Sequence, residues 1–378
     1  MLIYISMFFL SILFIYFANK QNDARRKNVL YVLSFMPFFL VSAFRYGVGT
    51  DYLRRYSLDF VKIYQGYSVN NLEIGFILLN KLTMLITNKP FLMFFITSFL
   101  INGFIFWTIC KESKDKILSI CIFFLLGFFF NSLNIMRQYL ALSFIFIGFY
   151  YLLRNKKILF LLSVIIASFF HSSAFVMLAL VICDYKVIAN YKWFIPVVIV
   201  VLCLNSNLMD ILEFVLKNTR FNVYFSGKLF KGEVSYLFIL ENLAFYLLMV
   251  YIQAKGYIQK GDKKANLYIN TQALALLCMC LGTCHMLFIR IAFYFSAFQI
   301  LGVPYFVNNF KKTYMICIKN NLYRFNIIKS LIIASMMVAF FITNIQSNVN
   351  EVVPYRTIFS CDKEIFTKNW RETQWREL

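Results

Sequence analysis

Apolar runs close to twenty residues long recur along the chain, divided by short polar breaks that carry most of the Lys and Arg. A membrane-spanning helix needs about 20 consecutive, mostly apolar residues. By that measure spans are predicted at 2–18, 28–44, 91–110, 117–133, 138–153, 193–206, 236–254, 267–288, 291–306 and 330–344. Residues 74–88 alternate apolar and polar positions at helical spacing and read as an interfacial helix. The expected fold is therefore all-α, a polytopic membrane protein of about ten spans. Residues 1–344 form one helical domain with outer loops at 45–73 and 205–235, and 345–378 form an outer tail. The first apolar stretch lacks a basic start and a small-residue cleavage site, so it reads as a retained helix rather than a signal peptide.

The stretch 158–182 admits two readings: one span, or two short helices meeting at His171-Ser172-Ser173. Charge separates them. A single span would invert every later loop and put the basic segments 255–264 and 307–329 outside, against the positive-inside rule. A re-entrant pair puts 19–27, 111–116, 154–157, 184–192, 255–264 and 307–329 inside, with 21 Lys and Arg against 5 acids. The re-entrant reading is preferred, with both termini outside. The polar corners at 45–73, 131–137, His171 and Arg290 then share the outer face.

Composition narrows the class. Of 378 residues, 61% are hydrophobic and 15% charged, with a mean hydropathy of +0.69. Soluble domains are about 45–50% apolar and about 25% charged. A soluble enzyme, a disordered chain and a disulfide scaffold are all excluded. The net charge of +21 would suggest nucleic acid in a soluble protein. In a membrane protein it reads as Lys and Arg holding cytoplasmic loops against an anionic bilayer, and no nucleic-acid partner is expected. Nearly all of the nine Cys lie in or beside apolar segments and read as small buried thiols; two His cannot build a multi-His metal site. Neither a metal nor a cofactor is expected.

Several charges sit where a bilayer makes charge costly, and these are functional candidates. Phe44-Arg45-Tyr46-Gly47-Val48-Gly49-Thr50-Asp51-Tyr52 follows the second span and runs on into Arg54-Arg55-Tyr56. The Arg fork suits phosphate, and Asp51 could take a proton from a hydroxyl; an anchor at the headgroups is the plainer alternative. In Asn131-Ser-Leu-Asn-Ile-Met-Arg137-Gln138, Arg137 opens an apolar helix. A cation there opposes the helix dipole, whereas an anion would be welcome. His171 lies at the proposed helix break, and histidine is the side chain suited to proton exchange near neutrality. Arg290 precedes Tyr294 between two apolar segments. Glu73 stands before the interfacial helix, Tyr355-Arg356 begins the tail, and Glu241 could pair with one of the arginines. There is no P-loop, no dinucleotide fingerprint and no Asp-x-Asp pair. Outward arginines with few carboxylates suggest a phosphate-bearing, lipid-linked substrate.

At these residues the chain resembles the EpsG-like, Wzy-type family of bacterial polysaccharide polymerases. The matching pieces are FRYGVGTDY at 44–52, Glu73-x-Gly75, Asn134-Ile-Met-Arg-Gln138 with Ala141, Phe170-His-Ser-Ser-Ala174, Arg290-x-x-x-Tyr294 and Pro354-Tyr-Arg356. The resemblance implies a glycosyltransferase of the bacterial cytoplasmic membrane, active at its outer face. It would join oligosaccharide repeat units carried on undecaprenyl diphosphate, as in capsule or lipopolysaccharide synthesis, with a flippase and a chain-length regulator as partners. Arg45, Arg54, Arg137, Gln138, Arg290, Tyr294, Tyr355 and Arg356 are the candidate substrate-binding residues. Asp51 is the first candidate for the base, ahead of Glu73 and His171. An O-antigen ligase, a lipid-linked oligosaccharide flippase and a membrane O-acyltransferase stay open as alternatives.

Overall fold

The computed structural model describes residues 1–69, 72–182, 190–203, 236–259, 261–317 and 322–359. The predicted outer loop 205–235 and the tail beyond Phe359 lie outside the described residues. Among those described, the chain is all-helical, and its β contact is an isolated antiparallel bridge between Arg45 and Thr357. It divides into two compact units, Met1–Phe175 with Leu331 onward, and Val176–Ser330.

In the first unit α1 (Leu2–Lys20) turns back through Asp23, whose carboxylate accepts the Arg25 N–H and caps α2 (Ala24–Ala43). A loop and a π-helical turn, Tyr52–Ser57, lead to α3 (Leu58–Tyr64) and α4 (Ile74–Met84). The long α5 (Phe91–Glu112) packs against α2 and α8. Next come α6 (Lys116–Leu125), α7 (Phe128–Asn134), α8 (Met136–Leu152) and α9 (Lys157–Ser168), the last lying along α8. Gly148 allows that approach, since a Cβ there would stand 2.7 Å from the Ser163 Cβ. A 3-10 turn, Ser172–Leu178, and α10 (Ala179–Ile182) lead out of the unit. The core is phenylalanine-rich: Phe38 packs on Phe106, Phe123 and Phe129 at ring separations of 5.2, 5.6 and 5.0 Å. Offset and edge-to-face rings fill space while each contributes about 0.5–1.5 kcal/mol beyond area burial.

The second unit contains α11 (Tyr191–Cys203), α12 (Tyr236–Ala254), α13 (Lys263–Leu281), α14 (Met286–Ser296) and α15 (Gln299–Cys317). Buried Asn242, in α12, ties that helix to α13, α14 and α15. Its Oδ1 accepts from Gln272 Nε2 at 3.1 Å, Ser296 Oγ at 3.3 Å and Gln299 Nε2 at 2.9 Å. Such amide bonds act as glue between helices in a setting that offers no other partner. Finally α16 (Leu322–Phe340) carries the chain back to the first unit and ends in a π turn, Phe341–Gln346.

Among the described residues, four helices are long and apolar enough to cross a bilayer: Leu2–Lys20, Phe91–Glu112, Tyr236–Ala254 and Lys329–Gln346. Two bent pairs raise the number to six. Of the other expected spans, 193–206 runs past Cys203 out of the described residues, α8 has 17 residues, and α13 carries Asn266, Asn270, Thr271 and Gln272. Three expected spans are broken. The run 117–133 bends by 50° where Gly127 takes a φ of +76°, a conformation that favours glycine. The run 291–306 bends by 45° between α14 and α15. The run 267–288 stops at Leu281, and His285 Nδ1 accepts the Leu287 N–H to start a new helix. Arg290 therefore lies inside α14 rather than at a corner between helices. In 158–182 the helix does break at Phe169–His171, between α9 and the 3-10 turn.

Candidate active site

Glu73 is the residue before α4, with extended backbone and no capping bond from its own side chain. Its carboxylate is therefore available to distant partners. Oε2 accepts from Arg137 Nη1 at 2.5 Å, and Oε1 stands 3.0 Å from His171 Nδ1. The Ser172 N–H donates to the same Oε1 at 3.3 Å. All three side chains are largely enclosed: Arg137 is 6% exposed, Glu73 and His171 17% each. Burial pushes the Glu73 carboxyl up, but the His171 hydrogen bond and the charges of Arg137 and His171 outweigh it and hold it at about 2. Glu73 is thus a fixed anion that faces the cation at the start of α8, the charge the helix dipole disfavours.

Gly75 makes this arrangement possible. Its N–H donates to the Phe169 carbonyl at 2.8 Å, and a Cβ on it would sit 2.7 Å from that oxygen. The start of α4 is thereby tied to the turn that presents His171. Behind the cluster, the Tyr56 hydroxyl takes the Arg137 backbone N–H, and the Arg137 guanidinium lies 5.9 Å from the Phe76 ring centre.

Arg45 occupies a different setting. It is 1% exposed, and its Nε and Nη1 have no hydrogen-bond partner. Nη2 reaches Met136 Sδ at 4.0 Å, and the guanidinium lies 5.6 Å from the centres of the stacked Tyr52 and Phe94 rings. Burial pulls it down to about 10, so it stays charged at neutral pH. Its backbone is held by the tail: Tyr46 N–H donates to the Arg356 carbonyl at 2.9 Å, and Ile358 N–H to the Phe44 carbonyl at 3.0 Å. The Tyr355 hydroxyl donates to the Val41 carbonyl at 2.9 Å.

Asn134 joins the glycine loop to the tail. Its Oδ1 accepts the Thr50 N–H at 2.9 Å, and its Nδ2 donates to Asn350 Oδ1 at 2.6 Å. Gly49, with a φ of +100°, passes so close to Asn134 that a Cβ would overlap its side-chain oxygen.

The structure thus brings Glu73, Arg137 and His171 together. Gln138 is buried beside them in sequence, at the start of α8. Asp51 heads the π turn, near enough to Tyr56 for its charge to act there, and makes no ion pair among the described residues. Arg54 faces Glu351 at 3.8 Å on the surface, and the Arg356 side chain is exposed. Arg290 and buried Tyr294 belong to the second unit. Glu241, expected to pair with an arginine, has no ion-pair partner among the described residues. Sequence reasoning gave no role to Tyr56, Asn134 or Gly75, although all three lie within the segments it singled out.

A helical membrane protein with an enclosed carboxylate–arginine–histidine cluster is the class that fold and site define. The EpsG family model matches residues 28–357, and the chain belongs to that family. The match includes every residue of the cluster and fits a membrane protein of polysaccharide synthesis. No curated protein and no solved structure matches the chain.

Proposed function

We propose that the protein is a polysaccharide polymerase. It moves a growing glycan from undecaprenyl diphosphate onto the sugar of an incoming lipid-linked repeat unit, at the outer face of the cytoplasmic membrane. A flippase would supply the units and a chain-length regulator would limit growth. The observation that carries the reading is the pairing of Glu73 with both Arg137 and His171.

In this reaction a hydroxyl of the acceptor sugar forms a bond to the anomeric carbon of the donor. The bond from that carbon to the diphosphate oxygen breaks, and undecaprenyl diphosphate leaves with the electron pair. The hydroxyl proton needs a base, and in this reading His171 takes it through Nε2. Glu73 holds Nδ1–H, fixes the tautomer and stabilises the imidazolium, as an acid does behind a histidine in hydrolases. A carboxylate held near 2 is itself a weak base, so Glu73 acts as a positioning residue. Asp51, half-exposed and outside the cluster, ranks behind His171. Arg137 supplies the positive charge that favours the departing diphosphate, an effect worth about 3–4 kcal/mol where one such donor is lost.

The test is the surface-glycan ladder of cells lacking the protein, complemented with wild type or Arg137→Ala. Single repeat units in the deletion and the variant, with long chains restored by wild type, support the reading. Full-length chains left on the lipid carrier would mean a ligase, units trapped inside a flippase, and normal chains lacking an acyl group an acyltransferase.

A further inference from the structure

The exposed side of α4 carries an apolar row, which exposed Lys81 flanks near the helix end. Ile74, Leu78, Leu82 and Ile86 repeat every fourth position, and each is more than half exposed. They border a cavity of about 770 Å³ whose other wall includes Phe169 and Phe170, where α9 ends. That volume falls in the range of about 300–1,000 Å³ typical of small-molecule sites. Thr83 brings the one hydroxyl to the lining, and it is already donated to the Asn80 carbonyl at 2.7 Å. The lining thus offers a guest no hydrogen bond, and only an apolar guest fits.

The position of the groove decides what that guest is. Ile74 and Gly75 follow Glu73 in the chain, and Phe169 and Phe170 precede His171, so the Glu73–Arg137–His171 cluster stands at one end. From there the groove runs the length of α4, about 16 Å at 1.5 Å per residue. A chain lying in it would have a polar head among charged groups and a tail along leucines. We propose that the groove holds the first isoprenoid units of the lipid carrier and so sets the diphosphate against Arg137. This rests on the polymerase reading, and it adds where the carrier lies.

The test uses the full chain in nanodiscs and an undecaprenyl diphosphate analogue with a diazirine near the diphosphate end of its tail. After illumination, adducts are mapped by mass spectrometry, with unlabelled undecaprenyl diphosphate or phosphatidylglycerol as competitor. Labelling within 74–86 and 166–170 is expected, displaced by undecaprenyl diphosphate and not by phosphatidylglycerol. Leu82→Asn, at an exposed position, should lower it about tenfold, the effect of losing one apolar side-chain contact. Competable adducts elsewhere would overturn the groove and leave the polymerase reading intact. Equal displacement by phosphatidylglycerol would make the groove an ordinary lipid site. No competable labelling anywhere would overturn both.

Discussion

Glu73 and His171 stand 98 positions apart in the chain, yet their side chains meet at 3.0 Å between Oε1 and Nδ1. The other carboxylate oxygen is held by Arg137. One carboxylate therefore holds a histidine and answers a cation, and neither partner can be altered without disturbing the other.

His171→Ala should lower polymerisation by about 10²–10⁴-fold, the usual worth of a general base, with normal protein levels in the membrane. Arg137→Lys keeps the charge and loses the fork, so elongation should still be strongly impaired. Both are read from glycan ladders at matched expression. Long chains in the Arg137→Lys strain would remove Arg137 from the site.

Acid should loosen the fold through Glu73. Its carboxyl lies lower in the folded chain, at about 2, than its ordinary 4.5. Stability from this group is therefore complete above about pH 4.5 and is lost as pH falls toward 2. The full effect is on the order of 3 kcal/mol. In melting curves of detergent-solubilised protein, Glu73→Gln should melt below wild type at pH 7, and the gap should close as pH falls through this window. A gap that stays constant with pH would contradict it.

Two glycines in apolar surroundings should behave oppositely. Gly75→Ala drives a Cβ into the Phe169 backbone and should cost about 1–3 kcal/mol, together with polymerisation, because the turn that bears His171 moves. Gly103, inside α5, has only the edge of Phe35 at 3.9 Å. Gly103→Ala should raise stability by about 0.5–1 kcal/mol and leave the glycan ladder unchanged. Parallel melting curves and ladders check both.

Arg45 is a buried cation with two unpartnered donors, and such a group weighs against stability. Arg45→Met should therefore melt at or above the wild-type temperature while polymerisation falls. A drop in both would make Arg45 a packing residue.

The break at His171 was legible because a polar triplet interrupts an apolar run. Arg137 at a helix start, and Glu73 just before one, were legible for the same local reason. Their meeting was not, since nothing in a period of 3.6 reports contacts across 64 or 98 positions. Arg45 misled in the other direction. An arginine beside two glycines at the end of a span reads as outward-facing, and only its pairing with 356–358 shows it buried. The bend at Gly127 was hidden because one glycine in an apolar run does not reveal the sign of its φ.

The chain leaves the first unit near Phe175 and returns to it near Leu331. Glu73, Arg137 and His171 have all been made by the first crossing, while the strand-like partner of Arg45, residues 356–358, arrives after the second. At about 5–20 residues per second, synthesis of the intervening unit takes roughly ten to thirty seconds. A newly made protein would thus hold its Glu73–Arg137–His171 cluster well before the tail closes over Arg45, and the ribosome's timetable, as well as the bilayer, sets when a new copy is finished.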